Sequence, residues 1–303
     1  MPSSPRQDAD SPTVAVLGTG RMGAPIARNL LAAGFAVTVW NRTESRAAAL
    51  VDDGAILASS PLVAASDAAV VLTMLADGTA TAETMDGDAG VASRMGPGSI
   101  WIQMGTVGVT WTDRLAKIAA DHEIAFVDAP VSGSSGPAEA GELVVLASGA
   151  GNTRSRVQPI FDAVGRHTSW LGRAGNGSRT KVALNNWLGA STEVLAETLS
   201  LSDALGLDPG EFVDVFAETA LASPYAVAKG RAMVAGDFAP GFPLRHAFKD
   251  TGLAVTAARE MGLELPLTEA LEGRWRGAIS RGHGEEDLAG IITEANRRNG
   301  SSG

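Results

Sequence analysis

The chain has 303 residues, 45% of them apolar, and carries a formal net charge of −10. That length suffices for two domains with their own cores, and the acidic balance argues against nucleic acid as a partner. There is no cysteine, which excludes disulfides, thiol nucleophiles and thiolate zinc sites, and the four histidines (His122, His167, His246, His283) show no paired ligand spacing, so no metal is expected.

Residues 1–11 are polar and lack an apolar stretch, so they read as a disordered arm rather than a signal peptide. Residues 296–303 read as a disordered tail. No run approaches the ~20 apolar residues that span a bilayer, and the expected location is cytoplasmic. Residues 14–17 form an apolar strand that runs into Gly18, Gly20 and Gly23, spaced G-x-G-x-x-G, and a helical pattern follows through Leu30. Gly18 permits the sharp turn, Gly20 the close approach of a pyrophosphate, and Gly23 the packing of helix on strand. A helix N-terminus with unpaired N–H groups then favours the phosphates. The loop Gly18, Thr19, Gly20, Arg21, Met22, Gly23 is therefore expected to bind a dinucleotide. A ligand-free tight turn is the competing reading, and the order strand, glycines, helix speaks against it.

Residues 35–40 read as a second strand ending in Asn41, Arg42 and Thr43, where a ribose-reading residue belongs. An NAD site favours an acid there. Arg42 instead suits a 2′-phosphate, so NADP(H) is expected ahead of NAD(H). The alternative makes Arg42 a solvated residue and Glu44 the acidic partner of NAD. Residues 69–75 form a buried strand ending at Met74 and Leu75, which are candidate cofactor contacts because ligands bind beyond strand carboxyl ends. A strand over 99–104 leads to Thr106, which could bond a ribose, bond a substrate, or cap the helix 109–120. The strand 124–127 runs into a Ser- and Gly-rich loop over 128–136. Ser132, Gly133 and Ser134 expose hydroxyl and N–H groups suited to a carboxylate, or else simply line a flexible loop. Strands at 143–147 and 168–171 flank a helix over 153–164.

From residue 178 onward no strand is evident. A helix over 179–205 shows sustained apolar periodicity and stops at Gly206-Leu207-Asp208-Pro209. At ~1.5 Å per residue it spans about 40 Å, more than a small domain needs, which suggests a helix between domains or in a dimer core. Further helices are expected over 209–219, 224–235, 243–261, 266–281 and 286–294. The domain organisation expected is a doubly wound α/β domain over 12–173 and an all-helical substrate and dimerisation domain over 174–295.

Lys181 and Asn185 are four apart and share a helix face with Leu184 and Leu188. Partial desolvation there would tune Lys181 toward acid–base work. On spacing alone, a lysine snorkelling from an amphipathic helix is the stronger reading. Lys249 either pairs with Asp250 in solvent or contacts a ligand. Tyr225 and Lys229 have the Y-x-x-x-K spacing of short-chain dehydrogenases, but they lie outside the nucleotide domain and the glycine pattern differs. The match reads as chance, with Tyr225 still a candidate pocket residue.

Jointly, Gly18–Gly23 with Met22, Asn41-Arg42-Thr43, Asp128–Gly133, Gly175–Asn186 and Phe248-Lys249-Asp250 resemble the β-hydroxyacid dehydrogenase family, over nearly everything between the tails. The resemblance implies a Rossmann domain plus a helical domain, assembled as a homodimer or homotetramer. It implies that Lys181 is the catalytic acid–base with Asn185 beside it. It further implies that Ser132 and Gly133 hold a substrate carboxylate and that Thr106 and Lys249 contact the cofactor. Two segments depart from the family: Gln103-Met104-Gly105-Thr106 stands in place of Asp-x-Ser-Thr, and Ser134 in place of a second glycine. The expected activity is NADP(H)-dependent hydride exchange with a small β-hydroxyacid or its aldehyde acid. The alternatives are an imine or ketone reductase on the same scaffold, and a non-catalytic NADP-binding regulatory protein. Retention of Lys181 and Asn185 speaks for the first.

Overall fold

The computed structural model describes residues 12–87 and 90–296. The expected arm 1–11 and, apart from Asn296, the expected tail lie outside the described residues. The described residues up to Lys181 form one compact unit, and those from Val182 on form a second.

The first unit alternates strands and helices. In order they are β1 (Val14–Leu17), α1 (Gly23–Ala32), β2 (Val37–Trp40), α2 (Glu44–Ala48), β3 (Ile56–Leu57), α3 (Pro61–Ala65), β4 (Val70–Thr73) and α4 (Gly78–Asp86). There follow β5 (Ile100–Gln103), α5 (Val109–Asp121), β6 (Ala125–Asp128), β7 (Val131–Ser132), α6 (Ser135–Glu139), β8 (Leu143–Gly149), α7 (Arg154–Val164) and β9 (Gly165–Trp170). The strand order is β3-β2-β1-β4-β5-β6-β8-β7, with β9 paired to β8. β1 to β6 pair in parallel, and β8 runs antiparallel to both β6 and β7. This is the doubly wound order, reversing between β1 and β4.

β1, β4 and β5 are buried along their whole length, which is why they read as continuous apolar runs rather than alternating ones. Their residues feed two separate cores. Val14, Val16, Leu72 and Ile102 pack on one face, and Ala15, Leu17, Val71 and Trp101 on the other. The register is in phase across the sheet: Leu17 lies opposite Trp40 and Thr73, Thr73 opposite Gln103, and Gln103 opposite Asp128. Five strands therefore end in one row, and the loops beyond that row carry most of the expected ligand-binding residues.

α8 (Asn176–Ala204) starts in the first unit and continues into the second. The second unit adds α9 (Pro209–Ala217), α10 (Pro224–Ala235), α11 (Leu244–Glu260) and α12 (Pro266–Ser280). Asp208 and Ser223 accept N–H bonds at the starts of α9 and α10, each just before a proline at the first helical position. Leu195, Leu199, Leu244, Leu271 and Trp275 form the core. The buried Trp275 Nε1 donates to Glu193 Oε2 at 2.7 Å, and Arg274 Nε lies 2.7 Å from the other oxygen, Oε1. Gly189 allows this packing. A Cβ there would lie 2.7 Å from Thr251 Cγ2 and 3.1 Å from the Trp275 ring.

The helix expected over 286–294 is not continuous. A short 3₁₀ turn (Leu288–Ile291) precedes α13 (Ile292–Ala295), because Asp287 adopts an extended conformation, bridges to Pro243 and uses its side chain to accept from Ala289 N. α8 also begins three residues earlier than the periodicity suggests, at Asn176.

Candidate active site

Gly18 has φ +102°, and a Cβ on it would stand 2.4 Å from Met74 O. The end of β1 thus closes on the end of β4 at the point where the strand order reverses, where doubly wound sheets bind their ligands. A Cβ on Gly23 would lie 1.9 Å from Gly18 O, so only glycine lets α1 turn back this tightly. A Cβ on Gly20 would meet nothing within 4 Å, leaving open space at the mouth of α1. No side chain caps α1, and the Thr19 hydroxyl is 2% exposed with no hydrogen-bond partner among the described residues. Open space, an uncapped helix N-terminus and an orphaned buried hydroxyl together fit the pyrophosphate of a dinucleotide.

Asn41 ties this loop to the end of β2. Its Oδ1 accepts from Thr19 N at 3.1 Å, and its Nδ2 donates to Thr43 O at 2.9 Å. The amide is engaged on both sides, so it shapes the loop. Arg42 is exposed, and its guanidinium makes no hydrogen bond or ion pair with the described residues.

Farther along the row, Thr73 Oγ1 donates to Gln103 Oε1 at 2.8 Å and accepts from Trp101 Nε1 at 2.9 Å. Gln103 Nε2 donates to Gly105 O at 2.8 Å. This buried chain of bonds sets the turn that carries Thr106. The cap of α5 is Gly108, not Thr106, which removes the capping reading of that threonine. The segment 128–136 is no flexible loop. Val131 and Ser132 pair with Val145 and Val144 as β7, and Ser134 leads directly into α6. Between them Gly133 has φ +136°, with Leu143 Cδ2 2.8 Å from where a Cβ would stand.

Lys181 is half-buried on α8, in the first unit. Its helix face is more open than the sequence suggests, since Leu184 is 42% exposed. Asn185, one turn on, is 3% exposed, and its Nδ2 donates to Asp250 Oδ2 at 2.7 Å. Lys249 Nζ lies 3.1 Å from Asp250 Oδ1. A carboxylate only accepts, so Asp250 fixes which end of the Asn185 amide faces it. Two residues expected in the site are thus joined through a third. The Lys249–Asp250 pair that a solvated reading anticipated exists, but its acid is buried.

Tyr225 OH lies 2.8 Å from Thr192 Oγ1, and burial pushes its phenol up to about 12. Lys229 pairs with Asp287. The Y-x-x-x-K spacing therefore belongs to the packing of α10.

Two family models match the chain one after the other. The first, described as the NAD binding domain of 6-phosphogluconate dehydrogenase, covers residues 13–172. The second, described as NAD-binding of NADP-dependent 3-hydroxyisobutyrate dehydrogenase, covers residues 175–294. Glyoxylate/succinic semialdehyde reductase 2, chloroplastic, of Arabidopsis thaliana is 34% identical, over 95% of this chain and 81% of its own. The chain belongs to the β-hydroxyacid dehydrogenase family. Another relative, 2-(hydroxymethyl)glutarate dehydrogenase of Eubacterium barkeri, is 32% identical over 92% of this chain and 93% of its own. Among solved structures, the 3-hydroxyisobutyrate dehydrogenase of Mycobacterium tuberculosis, determined with L-serine, superposes with a TM-score of 0.86 at 27% identity. That match covers 95% of this chain and all of that one. As a member of the family, the protein is a nicotinamide-dependent oxidoreductase of the dehydrogenase/reductase type, acting on hydroxyl groups.

Two acids take roles here that the sequence leaves unassigned: Asp250, there a solvated partner for Lys249 and the end of the segment Phe248-Lys249-Asp250, and Asp128, there the first residue of the segment Asp128–Gly133. A carboxylate ending an apolar strand, as Asp128 does, is the signal that could have marked it, since a buried charge needs donors.

Proposed function

We propose that this β-hydroxyacid dehydrogenase interconverts a small β-hydroxyacid and its aldehyde acid with NADP(H), Lys181 exchanging the proton on the substrate oxygen. The nicotinamide, when bound, supplies or accepts the hydride. The chain's own residues do the rest. Gly18, Thr19, Gly20, Arg21, Met22 and Gly23 seat the pyrophosphate, with Met74, Leu75, Thr106 and Lys249 completing the cofactor contacts. Arg42 holds the 2′-phosphate, in a loop kept in shape by Asn41 and Thr43. Ser132 and the N–H groups of Gly133 and Ser134 take the substrate carboxylate. Asn185 orients the reacting oxygen. Tyr225 adds an apolar wall, its hydroxyl being engaged by Thr192.

The observation that carries this reading is the Asn185 amide held at 2.7 Å by a buried carboxylate, one turn from Lys181 on the same helix. A polar side chain bonded to a buried acid beside a half-buried lysine is a costly arrangement for packing alone. Exposure of Leu184, Trp187, Val194 and Leu201 along one stripe of α8 supports a homodimer or homotetramer.

The test is oxidation of NADPH against a panel of small aldehyde acids, their amides, ketones and cyclic imines. The acids are expected to react at least tenfold faster than the amides. Lys181→Ala should lose about 10²–10⁴ in turnover while still binding NADPH. Equal rates with acids and amides, or preference for imines, would move the assignment to another reductase class.

A further inference from the structure

We propose that Asp128 is a positioning residue of the reaction: its buried carboxylate pins the first turn of α8 and so fixes where Lys181 stands. The inference rests on the acid–base reading of Lys181.

Asp128 ends β6 and is fully buried. One carboxylate oxygen accepts from Ser178 Oγ at 2.6 Å, and the other from Ser178 N at 2.8 Å. Ser148 Oγ, on β8, donates to that second oxygen at 3.1 Å and itself accepts from Gly177 N at 2.9 Å. Thr112 Oγ1, on α5, donates to Ser178 Oγ at 2.9 Å. Ser148, Ser178 and Thr112 are all buried. Two N–H groups at the start of α8, which a helix leaves unpaired, thus find partners on the sheet, and the dipole favours the negative charge placed there. Burial pushes the Asp128 carboxyl up against the pull of these donors. The helix start also presses on the sheet. A Cβ on Gly177 would stand 2.2 Å from Leu146 O and 3.1 Å from Asp128 Oδ2.

Two bonds to one residue remove both translation and rotation from a helix end. Lys181 follows Ser178 by three residues, about 4.5 Å along the axis. Its long stem amplifies any tilt of that turn. All the partners of the clamp lie in the first unit, as do the glycine loop and Lys181. The clamp thus holds the lysine to the unit that binds the nucleotide. A misplacement near 1 Å at a reacting group can cost about a hundredfold in rate.

The experiment compares single-turnover hydride transfer and NADPH affinity in the full-length protein. Asp128→Asn keeps the shape and replaces one acceptor with a donor. It should slow hydride transfer about tenfold to a hundredfold with NADPH affinity within about twofold. The same change in a Lys181→Ala background should cost less than twofold further, because the residue acts through the lysine. Ser178→Ala, a milder change, should lose about threefold to tenfold in hydride transfer, and Ser178→Thr should recover part of it. Asp113→Asn breaks the exposed pair of Arg179 Nη2 with Asp113 Oδ2 (2.8 Å) in the same turn and should leave the rate unchanged. If Asp128→Asn is impaired equally with and without Lys181, or if it transfers hydride at the parent rate, Asp128 does not position the lysine. Should Asp128→Asn fail to fold, an unaltered rate in Ser178→Ala overturns the proposal. Full turnover by Lys181→Ala would overturn the acid–base reading itself and the clamp with it, whereas an impaired Lys181→Ala beside a normal Asp128→Asn overturns the clamp alone.

Discussion

Arg42 stands exposed two residues beyond the end of β2, while its neighbour Asn41 is held on both sides by the backbone. A guanidinium with no partner among the described residues costs little to present and gains most from a phosphate, which it can grip with two parallel bonds. Arg42→Ala should raise the Michaelis constant for NADPH about tenfold to a hundredfold and change that for NADH by less than about twofold. Equal effects on both cofactors would remove the argument for NADP(H). Tyr225 makes the opposite case. With its phenol pushed up to about 12 and its oxygen bonded to Thr192, it is a poor proton carrier near neutral pH. Tyr225→Phe should keep hydride transfer within about tenfold of the parent and cost about 1 kcal/mol of stability, read by urea unfolding. Abolition of hydride transfer in that variant would take the proton-transfer role away from Lys181.

At the scale of elements, one acid gathers several contacts in the chain after α12. Asp287 pairs with Lys229 on α10 and accepts from Phe242 N at 2.9 Å and Ala289 N at 2.9 Å. Burial pushes its carboxyl up, but the Ala289 N–H, Lys229 and the Phe242 N–H outweigh that and hold it below its ordinary value. A depressed carboxyl contributes stability that is present above the unfolded value, near ~3.9, and lost as pH falls through the folded one. Asp287→Asn leaves Lys229 facing a neutral group and should cost roughly 3 kcal/mol at neutral pH. The gap from the parent should close below about pH 4. Circular dichroism across an acid series measures this, and a gap that stayed constant with pH would show that the charge does not matter. Lys229→Ala should lower stability without slowing hydride transfer, which separates the packing role of this lysine from that of Lys181.

At the scale of the whole molecule, the open question is what covers α8. Leu184, Trp187, Val194 and Leu201 recur at three, seven and seven residues, a single stripe down the helix, and Trp187 is 73% exposed. An apolar stripe of this length on a lone chain is unusual in water. Light scattering at micromolar concentration should therefore give at least a dimer, and Trp187→Glu with Leu201→Glu should shift it toward monomer. A monomeric parent protein would leave the stripe unexplained and end the assembly argument.

Local physics made much of this protein legible in its sequence. α10 occupies 224–235 as expected because its start and stop are local: Ser223 caps it, Pro224 opens it, and Gly236 takes the left-handed conformation that ends it. The glycine loop is equally local, since strand, turn and helix are contiguous, and the apolar strands announce a sheet covered on both faces. Short pieces such as α2, β3 and α3 escaped notice because a few residues carry no measurable periodicity. β7 was hidden because Ser and Gly look like loop until a partner strand pairs with them. The two acids of the candidate site were out of reach for a different reason. Asp128 meets Ser178 across 50 residues, and Asp250 meets Asn185 across 65. No window of sequence contains either pair. The sequence alone determined that a dinucleotide-binding sheet precedes a helical unit, with Lys181 and Asn185 one turn apart on the helix that leads from one to the other. Only the tertiary structure decided which buried carboxylates hold Ser178 and Asn185 on that helix, because a buried charge is tolerated only where distant donors converge on it.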